Sequence, residues 1–194
     1  VAAVYPEFNI ATSLTWFRVA AVPLLSIAFL YPAPWSRPLA AVLFTLAAIT
    51  DWLDGYVARR LGQTSQFGAF LDPVADKIMV AVVLVLLVKA DPRIVVAVLA
   101  AVIIGREITV SALREWMAEL GARSKVAVSS LGKIKTTLQM VGLGLMLFEA
   151  PILGLPTYDL GLFMLVIAAG LTVWSMVDYM RAAWPARGPG QGVP

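Results

Sequence analysis

Apolar runs broken by short polar or proline-rich stretches dominate the chain. About 20 apolar residues suffice to cross a bilayer as a helix. The pattern predicts six such segments, at roughly 14–31, 38–57, 72–89, 93–113, 134–150 and 160–180. Tyr31-Pro32-Ala33-Pro34, Ala90-Asp91-Pro92 and the stretch from Pro151 to Pro156 separate them with residues that end helices and make turns. The expected fold is therefore all-α: a polytopic membrane protein of six transmembrane helices, forming one domain over residues 1–186. Arg187–Pro194, rich in Gly and Pro, is expected to be a disordered tail.

Composition strengthens the membrane reading. Of 194 residues, 60% are hydrophobic and only 14% charged, against about 25% charged in soluble domains. Lys and Arg set the expected orientation. Arg18, Arg59, Arg60, Lys77, Arg106, Arg114, Arg123, Lys125, Lys133, Lys135, Arg181 and Arg187 flank one side of the predicted spans, and only Arg37, Lys89 and Arg93 flank the other. This asymmetry puts both termini and the loops after the second and fourth spans in the cytoplasm. The net charge of +3 does not point to nucleic acid, because the basic residues are few and lie beside membrane segments. Most of the six tryptophans sit near span ends, as interfacial anchors do.

The chain has neither histidine nor cysteine. Ser-His catalysis, Cys nucleophiles and zinc sites built on His or Cys are excluded, so any metal must be a hard ion held by oxygen. The oxygen donors are concentrated. Asp51 and Asp54 share one face of the second segment, and Asp72 and Asp76 are i,i+4 neighbours in the third. Packed antiparallel, these segments gather four carboxylates at one end. Each Asp costs roughly 2.5–3.5 kcal/mol at the centre of a bilayer, so the group needs compensation even near the interface. Arg59, Arg60 and Lys77, spread over a loop, supply it less directly than one or two divalent ions. Pro73 is expected in the first turn of its helix, where proline is tolerated. A transport pathway would distribute ionisable groups through the bilayer depth; here they gather at one end.

The spacing D-x2-D-G-x2-A-R-x8-G-x3-D-x3-D runs from Asp51 to Asp76 with every fixed position filled. It resembles the signature of the CDP-alcohol phosphatidyltransferases. The resemblance implies that Asp51, Asp54, Asp72 and Asp76 ligate two divalent ions, Mg²⁺ or Mn²⁺, with Asp76 also the general base. It further implies a CDP-lipid pocket that includes Asp51, Gly55, Arg59 and Gly68.

The stretch from Gly105 to Lys135 reads as an amphipathic, basic loop, suited either to an anionic lipid surface or to an anionic acceptor. Its sequence is similar to family members that use sn-glycerol 3-phosphate, and the similarity extends from Asn9 through most of the chain; Ala11 and Ser13 depart from the usual Pro and Leu. The implied reaction takes CDP-diacylglycerol as donor and glycerol 3-phosphate as acceptor. Arg106, Arg114, Arg123 and Lys133 are then the foremost candidates to hold the acceptor phosphate, followed by Lys125 and Lys135. Glu107, Glu115 and Glu119 are expected to orient these arginines. The resemblance also implies a homodimer in the bacterial inner membrane with its site facing the cytoplasm. Gly142-x-Gly144 and Ala168-Ala169-Gly170 are expected to be helix-packing sites.

Overall fold

The computed structural model describes residues 10–61, 66–119 and 130–183, with side chains over most of these ranges. They form six helices: α1 (Ile10–Leu30), α2 (Ser36–Leu61), α3 (Gln66–Ala90), α4 (Ile94–Glu119), α5 (Ser130–Phe148) and α6 (Thr157–Ala183). Each predicted segment is present. Most helices overrun the apolar part that announced them, because backbone hydrogen bonding does not stop where apolarity does. The Arg, Glu, Leu, Ala and Met of these extensions favour helix.

Two expectations are corrected by this overrun. Pro73 is not in a first turn but eight residues into α3, which begins at Gln66. Lacking an N–H, it leaves one carbonyl of the preceding turn without its helical donor. The basic stretch is not one loop either. Gly105–Glu119 completes α4 and Ser130–Lys135 opens α5, so Arg106 and Lys135 are carried on helices.

The turns that join α1 to α2, α3 to α4 and α5 to α6 meet at one end of the bundle. Tyr158 Oη donates to Asp91 at 2.5 Å, and Arg37 pairs with Glu149 at 3.2 Å. In the last turn Ile152 and Leu155 bond each other across Leu153 and Gly154, both at positive φ. That conformation is the hairpin type that favours Gly at its second corner.

Within the bundle α5 packs on α2, α3 and α6, while α1 covers α2 and α3, and α4 covers α3 and α6. Val83, Leu84, Leu87, Ile103, Leu143, Met146, Leu147 and Leu165 are fully buried between them. The outer surface is apolar as well: Ile27, Ile94, Ile108 and Trp174 are each at least 65% exposed. A helix that is hydrophobic all round belongs in a core or a membrane. The stretches Ile94–Met117 and Thr157–Val177 are long and apolar enough to cross one, which supports a membrane protein.

Where lipid surrounds the helices, their association rests on close packing rather than on hydrophobic burial. The closest approach joins α5 and α6. A Cβ on Gly161 would stand 2.6 Å from the Gly142 carbonyl oxygen, and one on Gly142 would stand 2.9 Å from the Gly161 oxygen. Only glycine fits at either position, as expected for Gly142. Gly144 and Gly170 differ: a Cβ on Gly144 would make only ordinary contact with Phe44, and one on Gly170 would meet nothing.

Candidate functional site

The end of the bundle opposite the three turns is organised around Arg18. Its side chain is fully buried in α1. A buried guanidinium is untenable without compensating charge, and two neighbouring helices supply it. Nη1 of Arg18 donates to Asp51 Oδ1 on α2 at 2.6 Å and to Asp76 Oδ1 on α3 at 3.0 Å. The two carboxylates remain 43% and 45% exposed. Arg18 thus ties three helices together and offsets the repulsion between two acids that still reach solvent.

Beside this triad a cavity of about 450 Å³ opens between α2, α3, α4 and α5. Asp51, Asp76, Lys77, Arg106, Glu107, Lys135, Thr136, Thr137 and Gln139 give it a polar lining, and Ala47, Ala48, Met79, Val80, Met140 and Val141 an apolar one. Its acids on α2 and α3 are partly exposed, whereas Arg106 on α4 and Lys135 on α5 are only 8% and 4% exposed. Arg106 is paired with Glu107, as expected of that glutamate, and its Nε is buried with no hydrogen-bond partner among the described residues. Lys135 Nζ donates to Ser175 Oγ on α6 at 2.9 Å. The cavity therefore joins an acidic wall, suited to hard cations, with a basic wall suited to an anion.

Four of the predicted site residues meet here: Asp51, Asp76, Arg106 and Lys135. Asp54, Gly55 and Arg59 follow Asp51 on α2, Gly68 and Asp72 precede Asp76 on α3, Arg114 lies on α4 and Lys133 on α5. Their side chains fall outside the described residues, as do Arg123, Lys125 and the tail from 187 onward. Among the described residues no three acids gather into a metal cluster. The donor chemistry nevertheless fits a hard divalent ion, since Asp51 and Asp76 present partly exposed carboxylates to one cavity and the chain offers no His or Cys.

Sequence reasoning missed Arg18 as a member of the site, counting it only toward orientation. Its signal was present: a lone cation in an apolar helix must face a partner. Thr136, Thr137 and Gln139 carried no such signal, because short polar residues at the start of an apolar helix are unremarkable. A second, apolar groove of about 600 Å³ runs between α2 and α5, lined by Phe44, Ile49, Leu145 and Phe148 among others. It shares Ala48, Met140 and Val141 with the polar cavity.

Comparison with known proteins gives a consistent result. The family model described as CDP-alcohol phosphatidyltransferase matches residues 8–174. A protein of Pectobacterium atrosepticum is 52% identical over 177 residues, covering 91% of this chain and 96% of its own length. Proteins of Salmonella choleraesuis and Escherichia coli K12 are each 51% identical over the same shares. All three bear the name CDP-diacylglycerol–glycerol-3-phosphate 3-phosphatidyltransferase.

Proposed function

The chain belongs to the CDP-alcohol phosphatidyltransferase family, and from that premise we propose that it transfers the phosphatidyl group of CDP-diacylglycerol to sn-glycerol 3-phosphate. The products are phosphatidylglycerophosphate and CMP. Relatives of about 50% identity over nearly their whole length carry that name. The observation that carries the reading to this chain's own residues is the single cavity that joins Asp51 and Asp76 to Arg106 and Lys135. A phosphatidyl transfer between two phosphorylated substrates needs both walls.

In this mechanism the 1-hydroxyl oxygen of glycerol 3-phosphate attacks the phosphorus that bears diacylglycerol. The bond from that phosphorus to the CMP oxygen breaks, CMP leaves with the bond's electron pair, and the hydroxyl proton passes to Asp76. Asp51, Asp54, Asp72 and Asp76 would hold two divalent ions, Mg²⁺ or Mn²⁺. Such ions would supply charge neutralisation for the pyrophosphate and the departing CMP. Arg18 holds Asp51 and Asp76 from the buried side. Gly55 and Gly68 leave room for the CDP moiety, and Arg59 reaches its phosphates. Arg106 and Lys135 hold the acceptor phosphate, with Arg114, Arg123, Lys125 and Lys133 as further candidates for that role.

The apolar groove between α2 and α5 takes the diacylglycerol chains, because it continues directly from the polar cavity. With the acyl chains in that groove, the cavity lies at the lipid headgroup level. All six helices then span the bacterial inner membrane with both termini and the site on the cytoplasmic side, and the enzyme works as a homodimer in one catalytic domain of residues 1–186.

The test is metal-dependent CMP release from CDP-diacylglycerol by the purified protein, offered glycerol 3-phosphate, serine or an inositol phosphate. Release with glycerol 3-phosphate alone supports the reading. Equal release with serine refutes the acceptor assignment, and no release with any acceptor refutes the reaction.

A further inference from the structure

The basic wall of the cavity is braced from behind by a residue that does not line it. Lys135 donates to Ser175 Oγ at 2.9 Å, and Ser175 Oγ in turn donates to the Thr172 carbonyl oxygen, one turn earlier in α6, at 3.0 Å. A serine hydroxyl carries one hydrogen and two lone pairs. With that hydrogen committed to the carbonyl, Ser175 can only accept from Lys135, and it presents a lone pair to the ammonium. Thr172 is 1% exposed and Lys135 4%, so both ends of the relay are buried while Ser175 between them is partly buried.

The brace also has a rigid mounting. Gly142 on α5 and Gly161 on α6 touch backbone to backbone, which locks the register of the two helices that carry Lys135 and Ser175. A lysine stem has four rotatable bonds and much rotamer freedom to lose. A fixed acceptor from a second helix restrains that freedom before an anion arrives, which is how preorganisation raises affinity.

We propose that Ser175 is a positioning residue for the acceptor site, aiming the Lys135 ammonium at the phosphate of the incoming phosphorylated alcohol. The inference rests on the proposed role of Lys135 in the acceptor site. Ser175→Ala removes one hydrogen bond to a charged group, and is expected to raise the apparent KM for glycerol 3-phosphate roughly 10-fold. The KM for CDP-diacylglycerol and kcat should stay within about twofold of the starting protein, less than a single neutral hydrogen bond is worth. Ser175→Thr restores the hydroxyl in a residue that readily bonds the carbonyl one turn back, and should recover most of the loss. Ser175→Cys, of similar size but a poor acceptor, should behave like Ser175→Ala and serves if the alanine variant does not fold.

Lys135→Met distinguishes the role of Lys135 from that of Ser175. If it raises the glycerol 3-phosphate KM while Ser175→Ala and Ser175→Cys do not, Ser175 has no positioning role and this inference alone fails. If Lys135→Met leaves that KM unchanged, the acceptor role of Lys135 fails and the inference falls with it. Equal increases in both substrates' KM values, or no rescue by Ser175→Thr in a protein of unchanged thermal stability, overturn the inference as well.

Discussion

The two ends of the bundle use the same residue types in opposite ways. At the end with the three turns, Asp91 and Arg93 sit two residues apart and pair at 2.7 Å, with Arg93 half exposed and its guanidinium 5.6 Å from the Tyr158 ring. The Asp91–Arg93 pair is local and closes a turn, which Tyr158 ties to α6. At the other end, Arg18 is fully buried and reaches residues 33 and 58 positions away, while its carboxylate partners stay near half exposed beside a cavity. In the Asp91–Arg93 pair the cation is the wetter partner. A charge cluster built for chemistry buries the cation that organises it and leaves the acids accessible. Between the Asp91–Arg93 pair and the Arg18 cluster, it is exposure of the acid, rather than the presence of an ion pair, that differs.

The largest effect should follow from changing the accessible acids. Asp51→Asn and Asp76→Asn are each expected to lower kcat/KM for CMP release by more than about 100-fold, beyond what loss of an outer-shell partner of a metal costs. Titration of Mn²⁺ against the purified variants should show weakened binding in step. Near-normal turnover of Asp76→Asn with metal bound would remove its assignment as base. Arg18→Gln comes next, with activity reduced roughly 10–100-fold, the range for residues that orient ligands. Loss of thermal stability should accompany it, because two facing carboxylates lose their shared cation. Arg18→Lys should recover part of both, since it keeps the charge but not the planar guanidinium. An unaltered melting temperature in Arg18→Gln would show that the contrast between the two ends has been overdrawn.

Much of this was legible in the sequence because membrane helices write their position in apolarity and their chemistry in its exceptions. The six segments, the grouping of Asp51 with Asp76, and the candidacy of Arg106 and Lys135 could all be read from spacing and residue type. The extent of the helices was only partly legible: neither the placement of Pro73 inside α3 nor the polar turns of α4 after residue 113 could be read from the predicted spans. Arg18 was visible as an anomaly but not as a partner, since which carboxylates it meets depends on how α1 lies across α2 and α3. Ser175 was invisible. A serine in an apolar helix most often bonds its own backbone, as this one does, and only the approach of α5 at Gly142 and Gly161 gives it a second role.

A smaller effect is expected where the cavity passes into the apolar groove. Gly144 lies on that groove. The nearest atom to a Cβ added there would be a Phe44 ring carbon at 3.9 Å, so a larger side chain has room to enter without forcing α5 from α2. Gly144→Phe should raise the KM for long-chain CDP-diacylglycerol several-fold, on the scale of about one displaced methylene, and spare the KM for glycerol 3-phosphate. Short-chain donor should be affected less. Equal effects on long- and short-chain donors would mean that the acyl chains lie elsewhere.

The smallest effect tests the structural end. Hydrogen bonds from Arg93 hold the Asp91 carboxyl well below the ordinary carboxylate range, against the opposing effect of burial, with Tyr158 adding to the depression. A carboxylate depressed in the folded protein gives up its proton more readily there than in the unfolded chain. Its stabilising contribution is therefore complete above the ordinary carboxylate pKa of about 4, and fades as pH falls below that toward the depressed folded value. Because Arg93 is half exposed, solvent screens the pair and the contribution is small. Asp91→Asn should lower the melting temperature at neutral pH by no more than about 4 °C, with the difference from the starting protein shrinking as pH is lowered below about 4. Both KM values and kcat should be unchanged at neutral pH. A change in either KM on substitution of Asp91 would mean that the two ends are energetically coupled, and the division between a closing pair and a working cluster would no longer hold.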